Sequence, residues 1–224
     1  MTLTTTPAPV AEPADVRTRI GLLTLVASAV LLALGRLMTT PGGSVRERLH
    51  QMEGTDVRVT ASALLTILGF ALLIPGLLTV VATIRGRGAT LATVGGGLVV
   101  VGGVGMSVLA AVDLSTLAAT HAGPTASMTS FVHQMDVSPG ILGVTAVAVI
   151  GYLIGPFIVT LAARRAGVVP RWLPWATLAV LVLQPVAAGA GGPDVTRVVD
   201  ALFQIALIVL FWRLSRCITE AADC

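Results

Sequence analysis

Apolar residues run through this chain in long uninterrupted blocks rather than in the alternating or one-sided patterns of a soluble domain. A helix that crosses a bilayer needs about 20 apolar residues. Six blocks meet that length, at 20–38, 59–84, 89–111, 140–163, 172–190 and 195–214. The apolar character of the third continues toward Ala119. Alternating ten-residue strands of the transmembrane-barrel kind are absent from the pattern. The expectation is an all-α, polytopic six-helix transmembrane bundle over 17–216, preceded by a disordered tail at 1–16 and followed by a short tail at 217–224. Arg17 and Arg19 precede the first block, and five more blocks follow it. It therefore reads as an anchor that is retained rather than as a cleaved signal peptide.

Two segments between blocks carry helical periodicity of their own. Ser44 and Glu47 form a capping-box pattern, with Val45, Leu49 and Met52 at helical spacing and Gly54 as a stop. Met128, Phe131, Val132 and Met135 repeat the spacing in the second segment, which Ser127 or Thr125 would cap and which ends at Pro139 and Gly140. Both predict short amphipathic helices over the outer end of the bundle.

Composition sharpens the picture. Of 224 residues, 55% are hydrophobic and 11% charged, against about 25% charged in an ordinary soluble domain. Mean hydropathy is +0.93. A water-soluble globule, a disordered chain and a nucleic-acid binder are thereby excluded. All 14 basic residues are Arg. With the N-terminus on the cytoplasmic side, nine of them lie inside (Arg17, Arg19, Arg85, Arg87, Arg164, Arg165, Arg171, Arg213, Arg216) and five outside (Arg36, Arg46, Arg48, Arg58, Arg197). Excess Arg marks cytoplasmic loops, so both termini are expected inside, in a cell membrane. Trp172, Trp175 and Trp212 fit an inner aromatic belt. Cys217 and Cys224 form no CxxC pair and read as free thiols in the cytoplasmic tail.

Small residues load the third block: Gly95, Gly96, Gly97, Gly102, Gly103 and Gly105, with Ser107 and Ala111. Such residues let helix backbones approach closely, which predicts a tightly packed central helix touching at least three others. Gly151 and Gly155 read the same way, as intramolecular packing. A weak internal repeat matches Gly69-Phe70, Pro75, Thr79, Arg85 and Gly88 with Gly151-Tyr152, Pro156, Thr160, Arg164 and Gly167.

Polar groups within the hydrocarbon are costly and therefore informative. At about 1.5 Å per residue, Asp200 and Gln184 each lie about 20 Å above the nearest inner Arg. Arg36 and Arg197 fall in the same outer layer, and Gln204 lies lower, near the midplane. Arg197, Asp200 and Gln204 share a helix face by their i, i+3, i+7 spacing. An inward-facing Asp200 calls for a cation, Arg36 or Arg197. This layer has two readings: an ion-pair and amide network that fixes helix register, or the floor of a pocket open to the outside. His50, His121, His133 and Asp136 are scattered over two loops without metal-ligand spacing, so no metal site is expected, and no cofactor is implied.

The Arg-flanked first block, the turn Arg85-Gly-Arg-Gly88 and the stretch Arg165-Ala-Gly-Val-Val-Pro-Arg-Trp-Leu-Pro-Trp175 resemble actinobacterial six-pass integral membrane proteins of unknown function. The resemblance implies a six-pass fold and carries no chemistry with it. Walker, HExxH and GxSxG signatures are missing, and aromatics make up only 4% of the chain. The leading expectation is a non-enzymatic bacterial inner-membrane protein. It would bind a small apolar ligand, a lipid or a partner helix through an outer pocket built from Arg36, Gln184, Arg197, Asp200 and Gln204. The alternative is an intramembrane enzyme acting on a lipid or isoprenoid, with Asp200 as general acid and Glu53 or Asp113 assisting, or a small transporter.

Overall fold

The computed structural model describes residues 16–38, 55–120, 126–190 and 193–222; of 17, 119–120, 126–128, 136, 184–190, 193–201 and 219–222 it describes the backbone alone. Seven helices make up these residues: α1 (Val16–Met38), α2 (Asp56–Thr83), α3 (Ala89–Thr120), α4 (Ala126–Asp136), α5 (Pro139–Arg165), α6 (Leu173–Ala190) and α7 (Pro193–Ala222). No strand occurs among them. Four are long and apolar enough to cross a membrane, over Thr18–Met38, Asp56–Thr83, Ala89–Ala118 and Pro139–Arg165, and α6 adds the shorter apolar run Leu173–Leu183.

The long helices form antiparallel hairpins, α1 with α2, α3 with α5, and α6 with α7. The hairpins join through α2 on α3, α5 on α6, and α7 on α1, closing a ring. One core runs through it, from Leu25, Leu73 and Leu77 in the first hairpin to Val99 and Val159 in the second and Leu181, Leu207 and Leu214 in the third. Outward, the apolar pattern continues without a polar face: Leu64, Leu68, Val101, Val104, Val147, Ile150, Leu202 and Ile205 are all exposed. A soluble monomer rarely exposes so continuous an apolar surface. Such a surface suits hydrocarbon rather than water.

Glycine sets the two closest hairpin seams. A Cβ on Gly102 would lie 2.5 Å from the Tyr152 nitrogen and 2.6 Å from the Gly151 carbonyl carbon. Gly155 packs on Val99, Gly95 on Val159, and Gly105 on Ala148, so α3 and α5 are in backbone contact over three turns. The expected intramolecular role of Gly151 and Gly155 is what the structure has. In the α1–α2 hairpin, Gly69 receives Leu32 and Gly76 receives Leu25. Ser62 Oγ donates to the Gly35 carbonyl across the seam at 2.9 Å. Arg58 Nε donates to the Met38 carbonyl at 2.8 Å, capping the end of α1.

The expectation of a central third helix is corrected. Close packing of α3 is with two helices, α2 and α5, and only 22% of its spanning window is buried, against 39% for α1. Its glycines divide between neighbours: Gly95, Gly102 and Gly105 face α5, Gly96 and Gly103 face α2, and a Cβ on Gly97 would meet nothing. High glycine density was a sign of two seams on one helix, not of a helix enclosed on every side.

The second predicted short helix is present as α4, though its buried face differs from the expected one. Val132 is buried, while Phe131 is 58% exposed. Ser138 caps α5, accepting from the Ile141 N–H at 3.3 Å, with Pro139 in the first turn. The expected helix over 44–54 lies outside the described residues.

At the opposite end, α5 stops in a Schellman arrangement. The Val168 N–H donates to the Ala163 carbonyl and the Gly167 N–H to the Arg164 carbonyl, both at 3.0 Å. Gly167 takes φ +78° there, a conformation that costs a residue with a side chain. Gly88, its partner in the internal repeat, also has positive φ, +115°. The repeat is matched further by its prolines: Thr79 Oγ1 donates to the Pro75 carbonyl at 2.8 Å, and Thr160 Oγ1 to the Pro156 carbonyl at 3.0 Å.

Candidate functional site

Five helices of the ring converge on one small cavity. Leu32 and Arg36 come from α1, Thr66 and Phe70 from α2, Met106 from α3, Tyr152 from α5, and Phe203 and Gln204 from α7. The side chains reach a common point because Leu32 and Arg36, like Thr66 and Phe70, are four apart and share a helix face. Its volume is about 20 Å³, room for one water-sized group.

Half of the lining residues are apolar, Leu32, Phe70, Met106 and Phe203, and Thr66 and Tyr152 add a hydroxyl each. Phe70 and Tyr152 meet edge to face, with ring centroids 5.5 Å apart and an interplanar angle of 82°. With Phe203 they give the cavity one aromatic residue from each hairpin. Proline lies under two of them. Pro156 has no N–H to offer the Tyr152 carbonyl, and Pro75 none to offer the Ala71 carbonyl beside Phe70.

Two polar groups stand out against these walls. Gln204 is 5% exposed, and its Oε1 is buried with no hydrogen-bond partner. A buried acceptor left unsatisfied costs roughly 1–3 kcal/mol, so this atom calls for a donor. Arg36 lines the same cavity and is itself exposed. A guanidinium is a donor only.

Of the five residues predicted to form a polar site, the structure brings Arg36 and Gln204 together. Gln184, Arg197 and Asp200 lie on α6 and α7, but their side chains, and with them the expected Asp200 ion pair, are outside the described residues. The wall residues Phe70, Tyr152, Phe203 and Met106 were not singled out as site residues, since an apolar residue in an apolar span has no contrast. The repeat was the available signal, as it had paired Phe70 with Tyr152.

Among the described residues no group of three or more His, Cys, Asp or Glu could hold a metal ion. His133 is exposed on α4; His50, His121 and the Asp136 side chain are outside the described residues. At the other end of the bundle, Trp212 lies under two guanidinium groups, Arg213 at 5.8 Å and Arg216 at 5.3 Å. Trp172 and Trp175 are more than half exposed, as residues that end in a headgroup layer are.

No family model, curated protein or solved structure matches this chain.

Proposed function

We propose that this chain is a six-span protein of a bacterial inner membrane, with both termini cytoplasmic, that binds a small amphiphile or lipid at the cavity between Arg36 and Gln204. The six spans are α1, α2, α3, α5, α6 and α7. The Arg bias of the loops supports the orientation, since the turns at 85–88 and 164–171 hold Arg and no acid.

The observation that carries the binding reading is the orphaned Oε1 of Gln204 inside a cavity shared by five helices. A ring held only for packing would gain by placing Leu or Met there. Arg197 and Asp200 extend the site by register, Asp200 one turn before Gln204 on α7 and Arg197 one turn before that, and Gln184 on α6 falls in the same layer by its count of residues from Arg171. Cavity size limits what enters to a head group, with any apolar body remaining among the lipid chains outside. The occupants are a lipid-like molecule or the polar end of a partner helix; no nucleic acid is involved.

Extraction and mass spectrometry of the protein purified in mild detergent tests the reading. Wild type is expected to retain a stoichiometric amphiphile that the Arg36→Met, Gln204→Met double variant lacks. Equal amphiphile content in two equally folded samples overturns it.

A further inference from the structure

We propose that an anionic phospholipid binds at the corner where the α2–α3 turn packs on the end of α5, its phosphate held by Arg85, Arg87, Arg164 and Arg165. This corner is at the end of the bundle away from Arg36, which sits in the last turn of α1, and it does not rest on the cavity reading above. Packing, not sequence proximity, assembles it. A Cβ on Gly88 would lie 2.7 Å from the Ala162 carbonyl oxygen, so the turn is in backbone contact with the last turn of α5. Gly86 and Gly88 shape that turn at φ +67° and +115°, where a side chain would be strained. Ile84, just before Arg85, is buried in the core, and Val169, just after the α5 stop, is buried with it. Both arginine-bearing segments are thereby fixed to the bundle, and two pairs of guanidinium groups are brought to one corner.

Arg85, Arg87 and Arg165 are exposed and Arg164 is half-buried. Among the described residues none of the four has a hydrogen-bond or ion-pair partner. The chain holds no acid between Asp56 and Asp113 or between Asp136 and Asp194. The acids near its two ends, Glu12, Asp15, Glu220 and Asp223, are matched in number by Arg17, Arg19, Arg213 and Arg216. The corner arginines thus repel one another with no counter-charge of their own, and an anion relieves that repulsion. Guanidinium groups pair with phosphate oxygens in bidentate fashion. The surface beside the corner decides which phosphate. Val147 and Ile154, seven apart, and Arg165, eleven further on, share one face of α5, and all three are exposed. Val94 and Val101 continue the exposed apolar surface on the neighbouring α3. Trp172 and Trp175, exposed at the start of α6, mark the head-group level at this end. A soluble phosphate gains the charge alone. A phospholipid gains the charge and lays its acyl chains along the apolar face.

Native mass spectrometry of the full-length protein in detergent tests this, with dioleoyl phosphatidylglycerol and dioleoyl phosphatidylcholine as probes and inorganic phosphate as the soluble competitor. Phosphatidylglycerol is expected to bind about tenfold more tightly than phosphatidylcholine. The fourfold variant Arg85→Gln, Arg87→Gln, Arg164→Gln, Arg165→Gln is expected to lose that preference. Arg213→Gln with Arg216→Gln, which removes charge from α7 at the same end, is expected to keep it. Equal binding of the two lipids by wild type overturns the proposal. Equal loss in the two variants also overturns it, since the attraction then belongs to overall charge. Displacement of phosphatidylglycerol by an equal concentration of inorganic phosphate overturns the lipid as ligand. If the fourfold variant does not fold, Arg85→Gln with Arg87→Gln on the exposed turn is expected to lower the preference, and an unchanged preference there overturns the proposal. None of these variants alters the Arg36–Gln204 cavity, so amphiphile retention there stands or falls separately.

Discussion

Phe70 on α2 and Tyr152 on α5 meet edge to face across the ring of helices, with centroids 5.5 Å apart. Each follows a glycine that packs on another helix, Gly69 against Leu32 and Gly151 against Gly102. Each also precedes a proline whose carbonyl accepts from a threonine one turn on. The same local device thus occurs in two hairpins and delivers an aromatic side chain to one cavity. Edge-to-face contacts of this kind contribute about 0.5–1.5 kcal/mol beyond area burial. Phe70→Leu is expected to lower stability by that order and to enlarge the cavity. Thermal unfolding in detergent checks the first effect, and retention of a bulkier amphiphile the second.

Gly102 and Gly103 are neighbours in sequence with opposite expected sensitivities. A Cβ at Gly102 would press on the backbone of α5, at 2.5 Å from the Tyr152 nitrogen. At Gly103 it would meet only side chains at ordinary contact distance, Ile74 at 3.4 Å and Phe70 at 3.8 Å. Gly102→Ala should therefore cost about 1–3 kcal/mol, the scale of overpacking. Gly103→Ala should be neutral or gain up to about 1 kcal/mol of helix propensity. Equal melting temperatures for the two variants would show that the α3–α5 seam is not a backbone contact.

Two serine hydroxyls separate an interhelical bond from a local one. Ser62 Oγ reaches the Gly35 carbonyl of another helix, whereas Ser107 Oγ bonds the Gly103 carbonyl of its own. Interhelical hydrogen bonds in membranes average about 0.6 kcal/mol. Ser62→Ala is expected to destabilise by that order and Ser107→Ala to leave the unfolding midpoint unchanged, as read in chemical denaturation from micelles.

Orientation is tested by cysteine accessibility in intact cells, with Cys217 and Cys224 replaced. Pro170 and Val137 are both exposed, at opposite ends of α5. An impermeant reagent is expected to label Val137→Cys and not Pro170→Cys. The reverse result would invert the topology.

The long helices were legible because a span announces itself by length and apolarity, which need no tertiary information. Some of their ends were legible too, where the turn Arg85-Gly-Arg-Gly88 and the pair Pro139-Gly140 punctuate the chain. What packs on what was less so. The glycines of α3 gave the seams but not their number, because a small residue says that something comes close and not what else surrounds the helix. Arg36 and Gln204 were found as polar residues in apolar spans. Their joint cavity was not, since it depends on Phe70, Tyr152 and Phe203 arriving from three hairpins, and nothing in an apolar run distinguishes a residue that faces a cavity from one that faces lipid.

The central claim is that Gln204 Oε1 receives a hydrogen bond from a bound molecule at the centre of the ring. An experimental density map of the protein in nanodiscs tests this most directly. Non-protein density is expected beside Arg36, with an atom about 2.7–3.0 Å from Oε1 and a tail leaving toward the membrane. A map in which the cavity is closed by side chains, with Gln204 bonded to a neighbouring helix and nothing else, would contradict it.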